Sequence, residues 1–334
     1  MKKPQADFTP IEKMLMVGVA FRVVLQSIRL GLFDALAAGP VSVEALASRQ
    51  GYQPKPVQAL LDLLETYDLV ERGPDGYRNT AKTKEFLESA SPFYQGKSLE
   101  MSSRFGEIVD NDFEALLRGE CDMRSRTDSN WNSRDSMDGT AQYSFLGGLQ
   151  DMVAFVAALP NFQDMRLMGD IGGNHGEYSM ALLDQNPDLA GEILDLPHVV
   201  PASNERIAAR GYAHRLRAEA FDLRATPLEA DQYDLLIASH VLYGFVDELP
   251  DIFTMLHNAL RPGGWLATHH LDPEGGAREI RNGVEFITRM AGYRTHHISR
   301  DQLRNAFERA GFVDVSFKSE EGCRRGLLAA GRKA

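Results

Sequence analysis

The sequence reads LMGDIGGNHGE at residues 167–177 and EILDLP at residues 192–197, and these two stretches form its most informative region. An apolar run meets a glycine-rich turn, a helical pattern follows, and a second apolar run then ends in an acid. This layout is typical of a nucleotide-type cofactor site in a βαβ unit, because glycines let the backbone approach a ligand and the later carboxylate holds ribose hydroxyls. The turn departs from the dinucleotide pattern G-x-G-x-x-G, since Asp170 precedes the glycines and Gly172 and Gly176 bracket the turn.

The bulk composition narrows the class of protein. The 334 residues suffice for two domains with a sizeable core, and the apolar runs are too short to span a bilayer. Residues 1–7 lack the apolar segment of a signal peptide, and the two cysteines, Cys121 and Cys323, lie far apart without metal-type spacing. We therefore expect a cytoplasmic protein without disulfides. The net charge of −11 argues against a nucleic-acid surface, since phosphate binding needs a basic excess.

Residues 9–100 predict a mainly helical unit with one small β element. Helical spacing of apolar residues covers 11–36, a capping Ser42 starts a short helix, and a second amphipathic helix covers 57–67. Short β segments on both sides of Gly-Pro-Asp at residues 73–75 predict a hairpin. Helix, turn, helix and hairpin in this order are typical of a winged helix.

A winged helix either binds DNA or serves as a dimerisation module, and the charges favour dimerisation. Residues 1–90 hold eleven basic and eleven acidic residues. The helix that would enter a DNA groove begins with Lys55 but continues with Asp62, Glu65 and Asp68, which would repel phosphates. We therefore expect a homodimer formed through this unit, with a metabolite-sensing DNA-binding regulator as a further alternative.

The rest of the chain predicts a connecting region and an α/β domain, so that the three parts are 1–100, 101–160 and 161–334. Residues 121–140 are polar and predict a long loop, whereas residues 141–159 are apolar and helical. Three aromatic residues of the connecting region belong either to a substrate pocket or to the core: Tyr143, Phe145 and Phe155. From residue 161 onward strand candidates alternate with helices at 167–171, 192–194, 215–220, 235–238, 265–269 and 313–318. This alternation predicts a mostly parallel sheet covered on both faces.

Polar and aromatic side chains follow each of the first five strand candidates. Ligands bind at the carboxyl ends of the strands in such sheets, so these residues are the candidates for a site. A single acid after a strand is often only a helix cap, but five such positions along one sheet edge favour a functional site. The residues are Asp170, Asp195, Phe221, Asp222, Ser239, His240, Tyr243, His269, His270 and Asp272.

Three stretches resemble the class I S-adenosylmethionine-dependent methyltransferases, namely DIGGNHG at 170–176, DLPHVV at 195–200 and ALRPGG at 259–264. Residues 27–36 and 43–47 are similar to the N-terminal winged-helix dimerisation domain of the small-molecule O-methyltransferase branch. The resemblance implies a Rossmann-like domain with a mostly parallel seven-stranded sheet, a homodimer, and S-adenosylmethionine as cofactor. It implies methyl transfer to a small molecule, with oxygen as the expected acceptor atom.

The same resemblance assigns residues to the cofactor. Asp170 and the glycines Gly172, Gly173 and Gly176 would form the turn beneath its methionine part. The remaining assignments are Asp195 for the ribose hydroxyls, Leu196, Phe221 and Asp222 around the adenine, and Ser239 close to the cofactor. Carboxylates and aromatic faces suit a cationic sulfonium.

The catalytic part departs from the family pattern. YGFVDE at residues 243–248 stands where the family has His-Asp-Trp-x-Asp-Glu, which puts Tyr243 in the place of the catalytic histidine. ISR at residues 298–300 replaces the stretch that carries the orienting acid, and Asn174 replaces the third glycine of the turn. The resemblance therefore leaves the base of the reaction open.

Three explanations fit this departure. The base has moved to His240, one helical turn before Tyr243, to His270, or to His297 of the pair His296–His297. Alternatively no base is needed, because transfer to nitrogen, sulfur or carbon runs mostly on proximity. In the third case the chain binds the cofactor without transferring methyl.

The histidine pairs 269–270 and 296–297 also raise the question of a metal. Neighbouring residues on a strand point to opposite faces, so at most one member of each pair faces a common site. One member of each pair together with His240 or Asp272 would complete a three-ligand site, but we favour a polar substrate pocket or surface histidines over a metal centre.

Overall fold

The structure is a computed structural model, and it describes residues 2–319 and 326–334. The chain divides into two compact units, Met1–Ser102 and Ser103–Ala334. The division into three parts stays a prediction. The helices are α1 Thr9–Arg29, α2 Leu32–Ala35, α3 Val43–Gln50, α4 Pro54–Thr66, α5 Ala81–Phe86, α6 Gly96–Leu117, α7 Met123–Asp128, α8 Arg134–Ser144, α9 Gly148–Ala157, α10 Glu177–Gln185, α11 Val200–Ala209, α12 Leu249–Ala259, α13 Arg278–Met290 and α14 Arg300–Arg309. The strands are β1 Val70–Gly73, β2 Gly76–Asn79, β3 Leu167–Ile171, β4 Ala190–Asp195, β5 Leu216–Ala220, β6 Tyr233–Ser239, β7 Leu260–Leu271, β8 Val313–Ser319 and β9 Gly326–Arg332.

The N-terminal unit has the predicted helices and hairpin. The Ser42 hydroxyl accepts a hydrogen bond from the Ala45 amide at 3.2 Å and caps α3. β1 and β2 pair antiparallel, as the sequence predicts. Leu46, Leu61 and Tyr77 are among the residues that fill the small core beneath them. The predicted single helix over residues 11–36 is interrupted, because Gly31 takes a left-handed φ of 66° between α1 and α2.

The C-terminal unit is built on a seven-stranded sheet with the strand order β5-β4-β3-β6-β7-β9-β8. The five strands β3 to β7 all run parallel to one another, whereas β9 runs antiparallel to β7 and β8. One apolar core lies on each face of the sheet. This confirms the Rossmann-like fold class, and it brings the carboxyl ends of β3, β4, β5, β6 and β7 to one edge.

The prediction of a long loop over residues 121–140 is wrong. This region contains α7 and the first part of α8. Asp122 caps α7 by accepting from the Ser125 amide at 3.1 Å, and Ser133 caps α8 by accepting from the Ser136 amide at 3.2 Å. These capping signals are visible in the sequence, but the helices present too few apolar residues for their periodicity to stand out.

The strand β9 was not among the strand candidates. Its residues GLLAAGR are buried on both faces between β7 and β8, so they lack the alternation of a half-buried strand. Cys323 lies outside the described residues. Among the described residues, no helix has the length and apolarity needed to cross a membrane.

Candidate active site

The glycine-rich turn connects β3 to α10. Gly172 and Gly176 adopt left-handed φ angles of 66° and 74°, which favour glycine over any residue with a Cβ. A Cβ on Gly173 would lie 2.5 Å from Cγ of Asp170, so a side chain there would displace the acid. Asn174, in place of the family's third glycine, has a φ of 41°. Asn174 therefore takes a left-handed backbone angle that favours glycine, and it adds an amide side chain to the turn.

Asp170 is a buried acid beneath this turn. Its Oδ2 accepts a hydrogen bond from the Ser179 hydroxyl at 2.7 Å. Burial raises the pKa of Asp170 to about 7, and the charge of Asp195 acts in the same direction, against the hydrogen bond from Ser179. A bound cation would favour the ionised form of this carboxyl.

His175 has a structural role in the turn. Its Nδ1 accepts the Glu177 amide at 3.1 Å and so satisfies an amide at the start of α10. Burial lowers the pKa of His175 to about 3, so the ring is neutral and remains an acceptor at neutral pH. The sequence did not assign this histidine a role.

Asp195 ends β4, and both its carboxylate oxygens point to backbone amides. Oδ1 accepts from Leu196 at 2.7 Å and Oδ2 accepts from Asn174 at 2.9 Å. Burial raises the pKa of Asp195, while these two amides oppose the shift. Each carboxylate oxygen accepts more than one hydrogen bond, so a pair of vicinal hydroxyls could bind to the same group.

A cleft of about 680 Å³ opens beside Leu196, and its walls also include His198, Asp222 and Arg224. The Asp222 carboxylate pairs with Arg224, whose Nε lies 2.8 Å from Oδ1. This hydrogen bond lowers the pKa of Asp222 and keeps the carboxylate ionised. Asp222, which the sequence predicts as the partner of the adenine amine, is therefore paired with the guanidinium of Arg224.

Phe221, the second residue expected at the adenine, is only 5% exposed and packs in the core on one face of the sheet. Its backbone amide donates to the carbonyl of Asp195 at 2.7 Å. Phe221 thus connects the ends of β5 and β4.

One wall of the cleft is α7, which is tied to the sheet edge through Asp128. The Asp128 carboxylate accepts from the Tyr293 hydroxyl at 2.7 Å and pairs with Arg224 at 3.3 Å. Its backbone carbonyl lies 2.9 Å from Nε2 of His198. The sequence gives no sign of the contact between Asp128 and Tyr293, because residues 165 positions apart in the chain leave no local pattern.

The ends of β6 and β7 carry a cluster of aromatic rings. Tyr243 stacks on His296 with ring centroids 4.4 Å apart and planes inclined by 19°. His240 lies 4.4 Å from the ring of His269 and 6.4 Å from that of His296. Tyr293 packs edge-on against Tyr243 at 5.3 Å. The structure therefore places Tyr243 and His240 in one cluster, and His296, rather than the candidate His297, lies between their rings.

The prediction that His240 and Tyr243 lie one turn apart on the same helix is wrong. His240 and Tyr243 do not share a helix face, because His240 has a left-handed φ of 53° and only Leu242–Phe245 form a short 3-10 helix. The chain bends at this left-handed residue, and the ring of His240 lies 4.4 Å from that of His269 on β7.

Ser239 and His269 lie together at the ends of the neighbouring strands β6 and β7. Nδ1 of His269 lies 3.2 Å from the Ser239 hydroxyl and 3.4 Å from that of Tyr178. His270, the next residue, is only 1% exposed, and both its ring nitrogens are buried without a hydrogen-bond partner. Burial lowers the pKa of His270 to about 3. His270 is thus the candidate most closed off from any ligand.

His297 lies in the loop before α14. Its Nε2 is 3.9 Å from Oε2 of Glu285 on α13, and its Nδ1 is buried without a hydrogen-bond partner. Within the described residues, no group of three or more His, Cys, Asp or Glu side chains could hold a metal ion.

The residues at the turn fit S-adenosylmethionine. Two buried carboxyls, Asp170 and Asp195, offer the acceptors and the negative charge that complement a ligand with ribose hydroxyls and a cationic group. The glycine at 173 keeps the space beside Asp170 free of a side chain.

The chain matches two family models, a methyltransferase domain over residues 144–316 and an O-methyltransferase dimerisation domain over residues 14–89. The 3-hydroxy-5-methyl-1-naphthoate 3-O-methyltransferase of Streptomyces sahachiroi is 31% identical over 71% of this chain and 70% of its own. The tetracenomycin polyketide synthesis 8-O-methyl transferase of Streptomyces glaucescens is 26% identical over 97% of this chain and 96% of its own. The crystal structure of human N-acetylserotonin methyltransferase in complex with SAM has a TM-score of 0.76, with 18% identity and 100% coverage of both chains.

The fold and the matches define the protein as an S-adenosylmethionine-dependent methyltransferase. Within this class the chain belongs to the O-methyltransferase family with an N-terminal dimerisation domain.

Proposed function

We propose that the protein methylates a hydroxyl oxygen of a small aromatic molecule. The ring cluster at the ends of β6 and β7 carries this proposal. Tyr243, His240, His296 and Tyr293 offer flat faces and hydrogen-bonding groups, which suit a planar acceptor with a hydroxyl. The relative from Streptomyces sahachiroi is named for methylating the 3-hydroxyl of a naphthoate, which is such an acceptor.

The cofactor would be held at the carboxyl ends of β3, β4 and β5. Asp195 would accept the ribose hydroxyls, and Leu196 would pack against the adenine beside Phe221 and Asp222. Asp170 and the turn of Gly172, Gly173 and Gly176 would lie beneath the methionine part, with Ser239 nearby. S-adenosylmethionine supplies an electrophilic methyl group on its sulfonium.

The acceptor would lie against the ring cluster. In this proposal Tyr243 and His240 contact the acceptor directly, whereas His270 and His297 pack behind the ring cluster without touching the acceptor. Holding the hydroxyl in line with the methyl group supplies much of the rate enhancement, because it replaces an encounter in solution.

The test uses three acceptors that differ in one atom: 2-naphthol, 2-naphthylamine and 2-naphthalenethiol. Methyl-labelled S-adenosylmethionine is the donor, and the labelled product is identified by mass spectrometry. Methylation of 2-naphthol above the other two supports oxygen transfer. Preference for the amine or the thiol would redirect the assignment to nitrogen or sulfur, and the absence of transfer to any of them despite cofactor binding would contradict the proposal.

We also propose a homodimer formed through the N-terminal unit. Large apolar side chains on α1 are exposed in the single chain, among them Ile11, Met14, Leu15 and Val17. A surface of this kind is typical of an interface, and the dimerisation model covers residues 14–89. Sedimentation should give a dimer for the wild type and a monomer for the variant Met14→Asp with Leu15→Asp. A monomeric wild type would contradict the proposal.

A further inference from the structure

We propose that His296 takes the proton from the acceptor hydroxyl and that Thr288 positions its ring. The inference deepens the proposed oxygen methylation and rests on it. His296 lies in the loop between α13 and α14, and Thr288 is a buried residue of α13.

His296 is held from three sides with one nitrogen left for a ligand. Nδ1 lies 2.9 Å from the Thr288 hydroxyl, and the backbone amide donates to Oε2 of Glu285 at 2.9 Å. The ring face stacks on Tyr243 at 4.4 Å. With Nδ1–H donating to Thr288, the lone pair of Nε2 is available, which is the arrangement of a general base with its orienting group.

The neighbouring groups are less suited to this role. Nδ1 of His269 is bonded by two hydroxyls and its ring is 2% exposed. His270 is sealed in the core, with both nitrogens buried. Burial raises the pKa of Tyr243 to about 12, so its hydroxyl keeps its proton at neutral pH and serves as a donor. His296 is half-buried and lies against Tyr243, which occupies the place of the family's base.

Burial is the main reason why His296 is neutral at pH 7. Burial lowers its pKa to about 4, His297 acts in the same direction, and Glu285 opposes them. The groups that face the ring come from each surrounding element: Glu285 on α13, His297 in the same loop, Tyr243 and His240 after β6, and His270 on β7. A neutral imidazole is the form that accepts a proton.

The proton-transfer step is simple. The O–H bond of the acceptor breaks with its electron pair left on oxygen, and a new N–H bond forms at Nε2 of His296. The oxygen, now the stronger nucleophile, is methylated, and the imidazolium returns its proton to solvent.

The first test is the pH profile of methyl transfer to 2-naphthol. The rate of the wild type should be nearly independent of pH from 6 to 9, because His296 is neutral throughout this range. His296→Gln should lose about 100-fold or more at pH 7, the usual contribution of a general base. Its rate should then rise about tenfold with each pH unit towards the pKa of 2-naphthol, since only the ionised acceptor reacts. A merely structural role would lower the rate equally at every pH, which would overturn the proposal.

Thr288 is tested as a positioning residue. Thr288→Val removes the hydroxyl and should lower kcat several-fold with KM nearly unchanged, whereas Thr288→Ser should restore the rate. His214→Gln, a change at an exposed histidine before β5, is the matched control and should leave the profile as in wild type. A Thr288→Val variant with a normal kcat would contradict the positioning role.

The second test does not depend on turnover. Nitrogen-15 histidine NMR of the full chain, with His296→Gln to assign the signal, should show His296 neutral at pH 7 and protonated at Nδ1. An Nε2–H tautomer or an imidazolium at pH 7 would overturn the proposal. If the wild type transferred methyl to none of the three naphthalene acceptors, the proposed function would fail, and the NMR result alone would decide the state of His296.

Discussion

Tyr243 and His296 form a stacked pair with ring centroids 4.4 Å apart and planes inclined by 19°. The stack joins the end of β6 to a histidine 53 positions later in the chain, and it holds one face of that histidine ring. Because the pKa of Tyr243 is raised to about 12 and that of His296 is lowered to about 4, both groups are neutral at pH 7. The pair thus combines one hydrogen-bond donor with one acceptor at the proposed acceptor site.

The hydroxyl and the ring of Tyr243 should have separable effects. Tyr243→Phe keeps the stack and removes the proposed hydrogen bond to the acceptor, which corresponds to about 0.5–1.5 kcal/mol, so kcat/KM should fall about 2- to 13-fold. Tyr243→Ala also removes the stack and should release the ring of His296. Steady-state kinetics with 2-naphthol and the NMR signal of His296 measure the two effects. A shifted His296 signal in Tyr243→Phe would show that the hydroxyl, rather than the ring, holds the histidine.

Asp195 should dominate cofactor affinity. Asp195→Ala removes the carboxylate that binds the Asn174 and Leu196 amides and that would accept the ribose hydroxyls. We expect binding of S-adenosylhomocysteine to weaken about 100-fold, since several hydrogen bonds to a charged group are lost. Isothermal titration calorimetry measures the change. Asp184→Asn, at an exposed carboxylate on α10, is the control, and equal affinities of Asp195→Ala and wild type would place the ribose elsewhere.

The stability of the cofactor-free protein should depend on the ionisation of Asp170. Its pKa is 3.8 in the unfolded reference and about 7 in the fold, so folding favours the protonated form. The corresponding stability is fully present below pH 4 and is lost as the pH rises through 7. Each pKa unit corresponds to about 1.4 kcal/mol, so the group destabilises the protein by several kcal/mol at pH 8.

Asp170→Asn should remove this dependence, because the amide has the same shape and carries no charge. Urea unfolding at pH 5 and pH 8 measures it, with cofactor absent. The variant should be less sensitive to pH than wild type and more stable than wild type at pH 8. Identical pH slopes for the two proteins would show that Asp170 titrates in its ordinary range.

Asp128 should control how tightly α7 closes the cleft. Asp128→Ala removes the hydrogen bond from Tyr293 and the ion pair with Arg224. We expect faster hydrogen exchange in residues 123–128 and about tenfold faster dissociation of S-adenosylhomocysteine in stopped-flow measurements. Glu114→Gln removes an exposed ion pair on α6 and should change neither. Unchanged exchange and dissociation in Asp128→Ala would mean that other contacts hold α7.

The sheet and the cofactor turn could be predicted from the sequence because their signals are local. The turn at residues 170–176 needs glycine for its φ angles and for the contact with Asp170, and both needs are expressed in the residues themselves. Several strand candidates of the α/β domain, such as those at 167–171 and 235–238, are runs of apolar residues, as is usual for buried parallel strands. β9 could not be predicted because its Gly, Leu and Ala residues are buried on both faces, so they show no alternation of apolar and polar residues.

The ring cluster and the closure of the cleft could not be predicted in this way. His296 is remote in sequence from Tyr243 and His240, and only the packing of the loop before α14 against the ends of β6 and β7 brings the rings together. Asp128 contacts Tyr293 only because residues 123–128 form the helix α7, although their polar sequence predicts a loop.

The sequence by itself thus determined the class of fold, the dimerisation unit and the cofactor, since each depends on backbone shape and on residue patterns within a short window. Tertiary structure alone decided which side chains meet at the acceptor end. Contacts between distant segments depend on how whole elements pack, and the left-handed turn at His240 redirects its ring in a way that helical spacing does not predict.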